Sequence, residues 1–395
     1  MKTIAALILP LWLVLTCAVP AHAVAGTSFS VADIDRDRIL ADASNALAVP
    51  PITITKYRAK LSLGGPHDYY SNADYWWPNP KTADGLPYVN RDGQSNPNNF
   101  NKHRECLFQL HDAIAALGAA YKITGDDRYA AKAAQLLRVF FLDPATRMNP
   151  NLQYAQAIPG GPSGRSYGII DTLRLLEIPR AITAMEKSPA FTPDVLAGLK
   201  QWFSDYTHWM RTSKNGIQES NAANNHAVAY WLQVAVFAQF TGDEQDLADC
   251  RKQFTDVFIP KQMAADGSFP RELARTKPYG YSIFQLDNMA TLCQVLSTPA
   301  DNLWLFTLPD GRGMRKAMEF MYPYLADKGK WLADGHRKDV QAWNGWPVRQ
   351  PSLLFAGLAF GEQKYLDLWL KLSADPTNDE VRRNVAITQP VLWVN

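Results

Sequence analysis

The sequence predicts an all-α protein, an (α/α) toroid of helical hairpins with a long N-terminal loop region. Three observations predict it. From Arg104 onward apolar residues recur at helical spacing in one segment after another, as in Leu107, Leu110, Ala113, Ile114, Leu117 and Tyr121. A glycine–acid punctuation also recurs. Thr124-Gly125-Asp126-Asp127 and Thr241-Gly242-Asp243-Glu244 lie 117 positions apart (241 minus 124), and Phe360-Gly361-Glu362 follows about as far on again. In each, glycine ends one helix in a left-handed cap and the acid caps the next. The unit is therefore a hairpin, and hairpins stacked without intervening strands curl into a toroid or solenoid. Third, period-two alternation is confined to Ala386-Ile387-Thr388 and Val391-Leu392-Trp393-Val394, which read as short strands.

Residues 1–23 read as a secretory signal. Lys2 supplies the positive start, Ile4 to Val19 the apolar run, and Ala21-His22-Ala23 a small-x-small cleavage site. Residues 24–395 are then a single toroid domain, periplasmic or secreted, with no membrane span. One helix is expected over 33–48. Residues 51–100 differ, being rich in Pro, Gly, Asn, Asp, Tyr and Trp (PHDYYSNADYWWPNP, DGLPYVNRDGQSNPNNF). A loop this long is functional or disordered, and its aromatic density argues against disorder. Helices are expected over 104–123, 127–141, 169–187, 193–213, 223–240, 244–258, 282–297, 312–326, 351–360 and 363–373.

Formal net charge is +2 from 40 basic and 38 acidic residues, too balanced for a general nucleic-acid binder. Cys106, Cys250 and Cys293 sit in apolar helical surroundings and read as buried small hydrophobes. No HxxxH or carboxylate–histidine cluster has metal-ligand spacing, and no cofactor is expected. The chain carries 12 Trp, 16 Tyr and 17 Phe. Many are core, but in an exported protein this density favours a carbohydrate ligand, because sugar faces stack on aromatic faces.

Two stretches carry chemistry. Asn224-Asn225-His226 opens a strongly apolar helix, and three adjacent polar side chains cannot all be buried unpartnered. A helix N-cap accounts for one asparagine. An oxygen-rich ligand would satisfy the rest. Downstream, Arg271-Glu-Leu-Ala-Arg275-Thr-Lys-Pro-Tyr279-Gly-Tyr281-Ser brings guanidiniums, a lysine and phenols together. These residue types combine into β-elimination on a uronic acid. Asn225, His226 and Arg275 neutralise the carboxylate and make an enediolate-like intermediate accessible. A single tyrosine near both atoms, its pKa drawn down from ~10 by cations such as Arg275, can remove the C-5 proton and protonate the C-4 oxygen.

These stretches resemble a known family. NNHAVAYW resembles the Asn-Asn-His motif of the alginate lyase superfamily. ELARTKPYGYSIFQLDNMA resembles its Glu-Leu-x-Arg segment followed by the catalytic tyrosine, and the 51–100 aromatics resemble its N-terminal loops. The resemblance spans roughly residues 50–300. The Arg275-to-Tyr281 step is one residue shorter than in mannuronate lyases of the family, and the Arg-Ala-Leu-x-Tyr-His pattern is missing. This is similar to a sister branch, polysaccharide lyase family 38, with its glucuronan and alginate lyases. The resemblance implies an (α/α) toroid, metal-independent syn elimination of an anionic uronic-acid polysaccharide, carboxylate neutralisation by Asn225 and His226 with Arg275 assisting, and Tyr281 as base and acid. Tyr279 competes for the tyrosine role.

Asn224, Tyr75, Trp76, Trp77, Arg91 and His67 are the further substrate-contact candidates, with Tyr69 and Tyr70 beside them in the aromatic loop. Trp343, Trp346, His336 and Arg349 form a second polar–aromatic cluster that this chemistry leaves without a role. Two rival readings remain open. A glycoside hydrolase on the same toroid needs an acid pair, for which Asp171, Glu219 and Asp287 are available without a matching signature. A periplasmic polyuronate-binding protein would keep the aromatic wall without turnover.

Overall fold

Glycine punctuation and helix amphipathicity divide this chain into inner and outer helices. The structure is a computed structural model describing residues 29–394, so the signal reading of residues 1–23 lies outside the described residues. From Val31 onward the chain forms one compact unit. Its longer helices are α1 (Arg36–Leu47), α2 (Lys102–Thr124), α3 (Asp127–Leu137), α4 (Glu177–Met185), α5 (Pro193–Thr212), α6 (Asn225–Thr241), α7 (Glu244–Gln253), α8 (Pro278–Leu296), α9 (Met314–Ala326), α10 (Pro351–Phe360) and α11 (Gln363–Lys371). The inner row runs α2, α4, α6, α8, α10, each packed on the next, except that α4 reaches α6 partly through the 3-10 helix Ser166–Leu175 that precedes it. α1 packs on α2, while α3, α7 and α11 fold back outside α2, α6 and α10.

The sequence explains this division. α6 and α8 are buried on nearly every face, which suits a central helix. α3 and α11 bury only one stripe. α2 approaches α4 so closely that a Cβ on Gly118 would lie 2.4 Å from the Ala181 Cβ. Gly125, Gly242 and Gly361 end α2, α6 and α10 with φ of 69°, 82° and 66°. A Cβ at each would meet open space, so it is the left-handed backbone that selects glycine. Asp126 and Asp243 cap the following helices with their carboxylates, whereas Glu362 makes no side-chain cap bond.

The expected strands near the C-terminus are absent; the segment is a docked coil that ends in the 3-10 turn Pro390–Leu392. The backbone N–H groups of Thr388 and Gln389 donate to the buried Glu177 carboxylate, as does Trp393 Nε1. With its donors satisfied by one side chain, the segment needs no strand partner, and its alternating Ile387, Val391 and Trp393 fill the core. The 51–100 loop carries three short strands. β1 (Tyr70–Asn72) pairs parallel with β4 (Tyr154–Ala157), and β2 (Trp76–Trp77) pairs antiparallel with β3 (Val89–Asn90). These pairings hold the loop over the α6 and α8 N-termini. Among the described residues, no helix is long and apolar enough to cross a membrane.

Candidate active site

A cleft of about 480 Å³ opens where the N-termini of α6 and α8 meet the aromatic loop. Five arginines (Arg104, Arg165, Arg174, Arg275, Arg383) and three aspartates (Asp74, Asp92, Asp171) line it, an excess of positive charge that draws in anions.

At the start of α6, Asn224 occupies the N-cap position, but its side chain makes no cap bond. Glu272, on the short helix Pro270–Leu273, does the capping. It accepts from the Asn225 backbone N–H at 2.9 Å and from Asn225 Nδ2 at 2.5 Å. Burial pushes the Glu272 carboxyl above its ordinary range, partly offset by the two Asn225 donors. His226 Nδ1 contacts the buried Glu219 carboxylate at 2.5 Å, and its ring meets Tyr167 edge-on at 4.9 Å. Since an ionised carboxylate only accepts, Nδ1 carries the proton, leaving Nε2 for a ligand. Asn224, Asn225 and His226 all line the cleft.

Tyr281, in the first turn of α8, faces them. α8 begins at Pro278, earlier than the periodicity predicts, because proline at the first helical position needs no N–H partner. The Tyr281 hydroxyl lies 2.8 Å from that of Tyr75 and 3.3 Å from Arg275 Nη2. Lys277 Nζ at 3.1 Å and Arg383 Nη2 at 2.9 Å both donate to the Tyr75 oxygen. Lysine and arginine only donate, so both Tyr75 lone pairs are taken and its proton goes to Tyr281. The Tyr281 oxygen therefore accepts from Tyr75 and Arg275, and its own proton is left for the cleft. Burial drives the Tyr281 phenol well above 10, with Arg275 pulling the other way. The expectation that cations lower this pKa is thus not met, because burial outweighs them.

Arg275 is itself partly neutralised. Its Nε and Nη2 bind Asp92 at 3.2 and 2.7 Å, a partner from the 51–100 loop that sequence reasoning missed. Asp74 is held between Arg104 and Arg383. Burial alone would raise its carboxyl, but the two guanidiniums outweigh it and hold it at about 2. Asp171 accepts from Tyr69, Ser71 and Gln156 and pairs with Arg104 at 3.3 Å. Gln156, at the unusual φ of 48°, also binds Arg165, whose guanidinium sits over Trp76 and Tyr167. Left-handed backbone at a non-glycine residue beside a cleft is a functional signal that sequence cannot carry.

Of the sequence candidates, Asn224, Asn225, His226, Arg275, Tyr281, Tyr75 and Trp76 line this one cleft. Four do not. Tyr279 points the other way along α8; it is fully buried, donates to the Tyr324 carbonyl at 3.0 Å and packs on Trp331 and Trp343. Trp77 alternates to the opposite face of β2 from Trp76, donates to the Gln94 carbonyl and carries Arg91 on its ring, so Trp77 and Arg91 satisfy each other. His67 bonds the Arg147 carbonyl at 2.6 Å, fixing the loop base. Arg104, Arg165 and Arg383 were missed, because each lies in unremarkable helical or loop sequence and is brought to the cleft by tertiary packing.

Residues 54–331 match the family model described as alginate lyase. A crystal structure of an alginate lyase from Bacteroides ovatus is 33% identical with a TM-score of 0.79, covering 91% of this chain and 94% of that one. Alginate lyase A1-III from Sphingomonas species A1 is 14% identical with a TM-score of 0.55, covering 90% of this chain and 94% of that one. A variant of alginate lyase A1-III complexed with a tetrasaccharide is 13% identical with a TM-score of 0.57 over the same shares. At those identities the likeness bears on the fold, which is an (α/α) toroid. Curated proteins include no match to the chain. On the family match and the 33% identical structure together, the chain belongs to the alginate lyase family and is a polysaccharide lyase.

Proposed function

We propose that this protein cleaves a 1,4-linked polyuronate, mannuronan of alginate or glucuronan, by syn β-elimination. The observation that carries the reading is the Tyr281 oxygen. It accepts from Tyr75 and Arg275, two donors placed to stabilise a phenolate, and it shares the cleft with Asn225 and His226. The substrate carboxylate sits against Asn225 Nδ2 and the Nε2–H of a His226 imidazolium whose Nδ1–H is held by Glu219, with Asn224 beside them. Withdrawing its charge acidifies the C-5 hydrogen. Tyr281 first gives its own proton to solvent in the open cleft; as phenolate it then takes the C-5 hydrogen, and the two donors into its oxygen stabilise the anion while it lasts. As phenol it returns the proton to the C-4 bridging oxygen when the C4–O bond breaks, leaving a C4=C5 double bond conjugated with the carboxylate.

One tyrosine reaches both atoms only when they share a face of the ring, as in β-D-mannuronate and β-D-glucuronate. The short Arg275-to-Tyr281 step supports the branch resembling polysaccharide lyase family 38. Hydrolysis is less well supported: of its three candidate acids, Asp171 is paired with Arg104, Glu219 holds His226, and Asp287 accepts from Ser352 and does not line the cleft. The test is ultraviolet absorbance on a panel of polyuronates. Unsaturated products with no metal added support the reading. Saturated reducing ends would replace it with hydrolysis, and binding without product would make the protein a polyuronate carrier. Export to the periplasm or medium belongs to the same proposal, and fractionation of the native host tests it.

A further inference from the structure

The polar–aromatic cluster around Trp331, His336, Trp343 and Trp346 lies outside the cleft, yet it grips the segment that carries Arg275 and Tyr281. That segment, Leu273–Gly280, leaves a four-residue helix and enters α8, so it is rich in backbone groups without helical partners. Three residues of the Arg337–Val340 stretch supply the partners. Arg337 Nη2 lies 3.3, 3.0 and 3.0 Å from the carbonyl oxygens of Leu273, Ala274 and Arg275. The Val340 N–H donates to the Thr276 carbonyl at 3.1 Å. The Asp339 carboxylate accepts from the Tyr279 and Gly280 N–H groups, 2.9 Å each, at the positive end of α8.

The aromatic residues frame this stretch. Trp331 Nε1 donates to the Arg337 carbonyl at 2.8 Å, and His336 stacks on Trp331 at 4.2 Å. Lys328 Nζ holds the Trp343 and Trp346 carbonyls at 2.8 Å each. Tyr279 is packed between Trp331 and Trp343. There is no slack at the junction, because a Cβ on Gly280 would lie 3.0 Å from both Asp339 Oδ2 and Trp346 Nε1. Neither Arg337 nor Asp339 lines the cleft.

We propose that Arg337–Val340 is a clasp that sets the positions of Arg275 and Tyr281 from behind, with Asp339 and Arg337 as positioning residues for the elimination step. The inference rests on the proposed chemistry at Tyr281. Tyr281 follows directly on the N–H pair that Asp339 holds, and Arg275 ends the carbonyl run that Arg337 holds, so a shift of the clasp displaces both together. The clasp also titrates. Burial raises the Asp339 carboxyl to about 6 against the pull of the two N–H donors, Lys277 and Lys328, with Glu380 paired to Lys277 behind it. Its anion is therefore lost as pH falls through that value.

The test combines kinetics on the substrate that wild type cleaves with amide hydrogen exchange. Asp339→Asn keeps one acceptor and loses the second. It should lower kcat by ~10–100-fold with KM nearly unchanged, as expected when reacting groups are misplaced by a fraction of an ångström. The acid limb near pH 6 should flatten in the same variant. Arg337→Ala should behave similarly, and Arg337→Lys should recover part of the loss. In Asp339→Asn and Arg337→Ala, exchange across 273–282 should quicken while α2 stays protected. Leu366→Ala, on outer helix α11, controls for general loosening and should leave kcat alone. Unchanged exchange in 273–282, kcat within twofold of wild type in Asp339→Asn, or an equal kcat loss in Leu366→Ala would overturn the clasp. If wild type forms no unsaturated product from any polyuronate, the elimination reading falls, and the exchange data still decide whether the clasp holds the segment.

Discussion

Tyr281→Phe deletes one oxygen, and the structure says what that oxygen does. It accepts from Tyr75 and Arg275 and presents its own proton to the cleft. Folding should change little. Arg275 keeps Asp92, and Tyr75 keeps Lys277 and Arg383, so the cost is the unpaired Tyr75 donor, about 1 kcal/mol. Turnover should change greatly. A general acid–base group contributes ~10²–10⁴-fold. Here the same group acts in both proton transfers, which places the loss at the upper end, ~5 kcal/mol of barrier. The comparison variant is Tyr279→Phe, which loses only the 3.0 Å bond to the Tyr324 carbonyl and should retain activity. The assay is the initial rate of absorbance gain on polymannuronate or polyglucuronate, with substrate binding measured separately by calorimetry. Tyr281→Phe should bind and not turn over. An active Tyr281→Phe beside a dead Tyr279→Phe would refute the assignment and the donor–acceptor reasoning behind it.

Three further outcomes follow from the same geometry. Tyr75→Phe removes one of two donors into the Tyr281 oxygen and should lower kcat by ~10²-fold, as loss of a preorganised donor does, read in the same absorbance assay; an unchanged rate would mean that Tyr281 works without Tyr75. Polymannuronate or polyglucuronate blocks should be cut and polyguluronate blocks hardly at all, because α-L-guluronate puts the C-5 hydrogen and C-4 oxygen on opposite faces; a faster rate on polyguluronate would make His226 the base. Asp287 is buried in α8 with its carboxyl raised to about 7 by desolvation, which the Ser352 donors offset only in part. A raised acid pKa means that the folded state holds the proton more tightly, so this residue's contribution is fully present below about pH 4 and is lost as pH rises through 7, with an upper bound of ~4 kcal/mol. Asp287→Asn should remove that loss, and thermal unfolding from pH 5 to 8 should show a Tm falling less steeply than in wild type.

The helices were legible because they are long and periodic, and because glycine marks where the inner ones end. The Asn225–His226 and Arg275–Tyr281 stretches were legible as dense polar chemistry against apolar helices. Other features were illegible for identifiable reasons. The apparent strands near Ile387 and Val391 alternate because a coil and a 3-10 turn dock on Glu177, and no local pattern separates those cases. Trp76 and Trp77 look equivalent in sequence, yet β2 turns one into the cleft and the other onto Arg91. Asp92, Arg165 and Arg383 gain their roles only from partners up to hundreds of positions away. Tyr279 and Tyr281 are equally attractive as phenols, and helical phase alone separates them.

Arg383 has one more consequence, concerning time rather than geometry. Its guanidinium supplies a donor to Tyr75 and half of the grip on Asp74, and Glu380 from the same turn pairs with Lys277. Tyr281 is translated about a hundred residues earlier. A nascent chain lacking the Asp379–Ala386 stretch would already carry Asn225, His226, Arg275 and Tyr281, yet the two phenols would have no fixed proton arrangement. The site is therefore assembled last-in. Arg383→Ala, which leaves the tail docked on Glu177, should silence an otherwise folded toroid, whereas an active Arg383→Ala enzyme would show that the phenols need no late-arriving partner.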